Sequence, residues 1–186
     1  MGRNANYGFL DAVGRSGGIV LLLLLIEFAD QLLGLELERF GILPRRAIGL
    51  AGVAFSPLLH GGFAHLTANV GPLFVLLIIL FWNHRYYPER SLFLIWLLSG
   101  IGTWLIGRGF TIHIGASSIV FGLVSYLIIA AFWMQCWRAL FFSVLVFLFF
   151  GGIFYGLFQI ERGVSWEGHL SGAIAGFWAA WINHRR

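Results

Sequence analysis

Long apolar runs broken by short polar punctuation dominate this chain, and their lengths predict membrane-crossing helices. Six runs occur, at roughly 18–34, 65–82, 91–107, 116–134, 138–158 and 168–183. Residues 1–17 carry Arg3, Asp11 and Arg15 and read as a short polar tail ahead of one membrane domain over 18–186. The first run is expected to be retained rather than cleaved as a leader, because Glu27 and Asp30 interrupt it and no small-residue cleavage site follows. Residues 35–64 are too apolar for a free loop and too broken for a span. Gly34, Gly41, Pro44, Gly49, Gly52 and Pro57 punctuate them. The pattern predicts a folded, partly membrane-embedded element there, on the outer face. Neither an internal repeat nor a second domain is visible.

Composition turns this pattern into a fold class. Of 186 residues, 59% are hydrophobic and 11% charged. A soluble domain carries about 25% charge and cannot hide so much apolar surface in one core. Cys136 is the single cysteine, so a disulfide scaffold is excluded and the thiol reads as a buried or interfacial one. The fold class is therefore an all-α membrane protein with six transmembrane helices.

Net charge is +4, and all twelve basic residues are Arg. They are scattered between apolar runs rather than clustered, which fits a lipid-bordering role and not nucleic acid. Six spans put both termini on one face. That face holds Arg3, Arg15, Arg85, Arg90, Arg138, Arg185 and Arg186; the other holds Arg39, Arg45, Arg46, Arg108 and Arg162. The bias points to cytoplasmic termini. Trp82, Trp133, Trp137 and Trp181 fall near the inner ends, and Trp104 and Trp166 near the outer ends, where indoles settle.

The sparse polar residues carry the functional signal. His60, His65 and Asn69 open the second span, Ser117 and Ser118 the fourth, and His169 the sixth. These three spans run the same way, so their starts share one membrane face. Polar groups at membrane depth are costly and mark functional sites. His65 and Asn69 are four apart and project from one helix face. Ser118 and Gly122 are also four apart, and Gly168, Gly172 and Gly176 form a small-residue ridge that lets helices approach closely. Packing through that ridge brings Ser117 within reach of His169. A serine hydroxyl becomes a useful nucleophile when such a base takes its proton.

Other chemistries fit less well. H-E-x-x-H is absent; His60-Gly-Gly-Phe-Ala-His65 has the wrong spacing and no Glu, so neither metal nor cofactor is expected. Glu27 and Asp30 share one helix, which disfavours an aspartyl site and suits hydrogen-bonded structural carboxyls. His113 reads as structural, and His84 and His184 as solvated. Ile119 occupies the last position of a would-be G-x-S-x-G elbow. A transporter would show inverted repeats or paired broken helices, and neither is present.

Gly115-Ala-Ser117-Ser118-Ile-Val-Phe121-Gly122 resembles the nucleophile motif of the rhomboid intramembrane serine proteases. His60-x4-His65-x3-Asn69 and His169-Leu-Ser-Gly172-x3-Gly176 resemble that family's second-helix and sixth-helix motifs. The resemblance runs in order from about residue 38 to the C-terminus. It implies a six-helix rhomboid-like bundle with a membrane-embedded first loop. It implies Ser117 as nucleophile and His169 as general base, with His65, Asn69 and the Ser117 N–H as an oxyanion hole. His60 supports the helix mouth, Phe121 packs on the His169 ring, and Gly122, Gly172 and Gly176 pack helices. Span five, with Phe141, Phe142, Phe147, Phe149 and Phe150, and the loop at 159–167 would form a gate and cap. The chain departs from the family in having Ser118 where Gly is usual, and Glu38-Arg39-Phe40-Gly41 with Pro44-Arg45-Arg46 in place of a frequent Trp-Arg pair. The implied partners are transmembrane protein substrates and the bilayer of a prokaryotic plasma membrane, with single-span proteins cut near their outer ends. A catalytically inactive relative that binds or retains membrane clients is the alternative.

Overall fold

A computed structural model of the chain describes residues 8–152 and 165–185. Seven α-helices occur among them: α1 (Phe9–Leu33), α2 (Ala51–Phe55), α3 (Phe63–Phe81), α4 (Pro88–Ile106), α5 (Ser117–Met134), α6 (Trp137–Phe150) and α7 (Trp166–His184). No strand occurs among the described residues; a two-residue bridge pairs Ile42 with His113. The protein is a multi-pass helical membrane protein.

Four helices are long and apolar enough to cross a membrane by length and composition: α1, α3, α4 with the turn before it, and α5. The other two predicted spans are α6 and α7. α6 is described over 14 residues, and its expected continuation to 158 lies outside the described residues. α7 has 19 residues but buries Gly168, Ser171, Gly172, Ala175, Gly176, Ala179, Ala180 and Asn183 against protein. The small residues on that face let α7 pack closely and lower its mean hydropathy, while Ile174, Phe177 and Trp178 on its other face are exposed. α1 begins at Phe9, inside the stretch 1–17 expected as a polar tail. It stays helical because Arg15 pairs with Asp11 at 2.9 Å and with Glu89 at 2.6 Å, while Ala12 and Ser16 are buried.

α5 is the axis of the bundle. Its apolar stretch is 67% buried, against 17% for α1. α7, α6, α3 and α4 pack around it, α7 also packs on α4, and α1 packs on α3. The approach of α7 to α5 needs glycine. A β-carbon at Gly172 would overlap the Ser118 carbonyl, and one at Gly176 would overlap the Gly122 carbonyl.

Residues 34–62 fold against α4 as short 3₁₀ turns and α2. The Trp96 indole donates to the Val53 carbonyl at 3.1 Å, and the Trp104 indole to the Arg46 carbonyl at 3.0 Å. The Arg45 guanidinium donates to the Leu105 and Gly107 carbonyls, at 3.0 and 2.8 Å. The segment turns the apolar side chains Phe40, Ile48, Leu50 and Phe55 outward, while Glu36, Glu38, Arg39, Arg45 and Arg46 are also exposed. Glu27 and Asp30 are buried at its junction with α1. Asp30 accepts the Leu37 N–H at 3.0 Å and Glu27 accepts from Gln31 at 3.1 Å.

Candidate active site

Connections alternate across the bundle, so α3, α5 and α7 all begin on one face. Their first turns bring three separate polar clusters together. Ser117 Oγ lies 3.1 Å from His169 Nε2, between the first turns of α5 and α7. That is within the range for proton transfer from hydroxyl to imidazole. Phe121, one turn along α5 from Ser117, stacks on the His169 ring at 4.2 Å between centroids and 8° between planes. The stacking limits rotation of the imidazole about its χ2 axis and keeps Nε2 on Ser117.

The second cluster closes around the same point. Gly115 has φ +105°, a left-handed conformation that side chains rarely adopt. A β-carbon there would sit 2.8 Å from His65 Nε2 and 3.9 Å from Asn69 Nδ2, so glycine lets both side chains come against the backbone beside Ser117. His65 Nδ1 faces the Gly61 N–H at 3.5 Å, which places the ring proton on Nε2, toward the site. Asn69 gives one amide proton to the His65 carbonyl at 2.9 Å and keeps the other. No side chain caps the start of α5, so its first N–H groups stay available. The His65 ring, the Asn69 amide and the start of α5 thus lie together beside Ser117.

His60 supports this floor from below. It is 1% exposed, stands edge-on to His65 at 5.1 Å, and its Nε2 accepts the Ala116 N–H at 3.3 Å. Burial pushes the His60 imidazole down to about 4, and the nearby His65 adds to this. It is therefore neutral at pH 7, as an acceptor must be.

A cavity of about 620 Å3 opens over the pair, lined by His65, Asn69, Ser117, Phe121 and His169 with Arg108, His113 and Ser165 among others. The last three are a finding of the fold. His113, read from the sequence as structural, is 3% exposed and exchanges both backbone hydrogen bonds with Ile42 at 2.9 Å. Its Nδ1 also lies 2.6 Å from Ser165 Oγ, at the residue before α7. Burial holds the His113 ring below its usual range, against the opposing pull of Glu167. Glu167, 1% exposed, pairs with Arg108 at 2.8 Å. Both links tie the turn that carries His169 to the 107–116 segment that leads into Ser117. Glu167 and Ser165 show no sequence signal, because their partners lie more than 50 residues away.

Of the cap expected at 159–167, residues 159–164 lie outside the described residues. Phe141, Phe147 and Phe149 are exposed on α6, and Phe142 and Phe150 are half-buried. Among the described residues no three His, Cys, Asp or Glu side chains cluster to hold a metal ion. His184, expected to be solvated, is half-buried with Nε2 3.4 Å from the Tyr126 hydroxyl, because α7 extends it beneath α5.

Comparison with known proteins agrees with this geometry. Uncharacterized proteins of Mycobacterium tuberculosis and Mycobacterium bovis are 42% identical over 173 residues, covering 88% of this chain and 71% of each relative. One from Mycobacterium leprae is 36% identical over 182 residues, covering 89% and 71%. The family profile described as the Rhomboid domain matches residues 49–186, from the embedded segment through α7, and the chain belongs to the rhomboid family.

Proposed function

We propose that this protein is an intramembrane serine endopeptidase that cleaves single-span transmembrane proteins near their outer ends. The observation that carries the proposal is the 3.1 Å contact between Ser117 Oγ and His169 Nε2 at the base of a cavity. Ser117 attacks the scissile carbonyl as His169 takes its proton. His65, Asn69 and the first N–H groups of α5 stabilise the oxyanion. His169 then returns the proton to the leaving amine, and water hydrolyses the acyl-enzyme by the same steps in reverse roles.

A helical substrate hides its carbonyls in intrahelical hydrogen bonds. Substrates with Gly, Pro or polar residues near the outer end unwind most cheaply and are the favoured class. Membership in a family of typically proteolytic members and the bacterial relatives support an enzyme of a bacterial plasma membrane. The Arg bias supports cytoplasmic termini.

The test is reconstitution with a transmembrane reporter. The wild type should cleave it and take a covalent label on Ser117 from a serine-directed mechanism-based inhibitor. Ser117→Ala should do neither. Equal cleavage by both proteins would remove the proposal, and reporter binding with neither cleavage nor label would assign the chain to the inactive client-binding class.

A further inference from the structure

The opposite face of the bundle holds a second large cavity, of about 750 Å3, at the seam between α3 and α6. α6 packs mainly on α5 and touches α3 only lightly, so the described helices leave the seam between them open. Ile79, Phe141 and Phe142 form an apolar wall, and Trp82 and Trp137 stand exposed at the rim. Indoles in such positions lie at headgroup depth.

Two further observations give the cavity a polar end. Tyr86 lines it and is 2% exposed, and its hydroxyl has no hydrogen-bond partner among the described residues. A buried hydroxyl left without a partner is costly, so an acceptor entering the cavity would stabilise it. Arg138 also lines the cavity, and Arg85 lies on the turn beside it, with one guanidinium nitrogen on the Met134 carbonyl at 3.2 Å. Neither arginine is ion-paired with a carboxylate among the described residues. The rim favours negative charge. The Cys136 thiol there is held below its usual range, first by the Ala139 N–H at the start of α6 and further by Arg138 and Arg85.

We propose that this cavity binds one anionic glycerophospholipid, its phosphate at Arg138 and the first turn of α6 and an acyl chain along Phe141 and Phe142. The volume lies within the range of about 300–1,000 Å3 typical of small-molecule sites. A soluble anion would leave the apolar wall wet. A zwitterionic lipid would fill the wall and bring the same phosphate, but its headgroup cation would sit beside Arg138 and Arg85, so a net anionic lipid is favoured. The seam also borders α6, so an occupied cavity would hold the far end of that helix against α3.

The experiment uses the full chain, delipidated in detergent and offered phosphatidylglycerol or phosphatidylcholine, with retained lipid counted by native mass spectrometry. One phosphatidylglycerol should be retained in preference to phosphatidylcholine. Arg138→Gln should weaken that preference about fivefold, the weight of one arginine beside an anionic headgroup. Phosphatidylglycerol carrying a photoreactive acyl chain should crosslink within 136–142 or 79–86. Ser117 labelling should be unchanged in Arg138→Gln, which reports a folded protein and separates this site from the catalytic one. Equal retention of the two lipids, an unaltered preference in the folded variant, or crosslinks confined to other segments would each overturn the proposal.

Discussion

α5 and α7 bring a hydroxyl beside a histidine in two places, and the surroundings of the two pairs differ. At one end Ser117 lies 3.1 Å from His169; at the other Tyr126 lies 3.4 Å from His184. Residue types and separations are close. The surroundings differ. The Tyr126 hydroxyl donates to the Tyr86 carbonyl at 2.5 Å, Ser91 donates to the same carbonyl at 2.6 Å, and Asn183 donates to Ser91 at 2.8 Å. That network commits its protons to structure. At the Ser117 end the neighbours are the N-termini of α3, α5 and α7, whose N–H groups and positive dipole ends suit a developing oxyanion. At the Tyr126 end the same helices present their C-terminal carbonyls, which repel one. A hydroxyl–imidazole contact is therefore a catalytic candidate only at the end of the helix that can also stabilise the product charge.

The sharpest way to break this comparison is to remove each histidine in turn. His169→Ala should lower reporter cleavage by about 10³-fold or more, as expected for loss of a catalytic base, whereas His184→Ala should leave it within severalfold. Equal losses would mean that both ends act by fold alone. Next in size is His65→Ala. Losing one oxyanion donor costs about 10²-fold in kcat with little change in KM, and a KM-only effect would move His65 from the reaction to substrate binding.

Packing comes third. Gly172→Ala should destabilise by about 1–3 kcal/mol through overpacking against Ser118, read as a lower unfolding midpoint in detergent. Gly14→Ala, whose β-carbon meets nothing within 4 Å, is the control and should change little.

The smallest effect is in pH. His60 is held to about 4 when folded and returns to about 6.5 when unfolded. The unfolded chain thus binds the extra proton, and stability is lost as pH falls from about 6.5 toward 4. His60→Gln should flatten that slope in a pH series of thermal unfolding curves.

The catalytic candidates were legible because helical spacing is local information. His65 and Asn69 sit one turn apart, as do Ser117 and Phe121, and the Gly122 and Gly172–Gly176 pattern announces close packing. The start of α1 was not legible, because the interactions that extend it to Phe9 include a partner as distant as Glu89. Nor was the Arg108–Glu167 and His113–Ser165 clasp, whose members are ordinary residues until the fold joins them.

The sequence by itself determined that this chain is a multi-pass helical membrane protein, and it pointed to the face on which His65, Asn69, Ser117 and His169 lie. Those follow from composition and periodicity, which each residue carries wherever the chain folds. Only the tertiary structure decided which hydroxyl meets which imidazole, that the Tyr86 hydroxyl meets no partner among the described residues, and that a cavity opens between α3 and α6. Those depend on distances between helices, set by glycine contacts and buried polar pairs far apart in the chain.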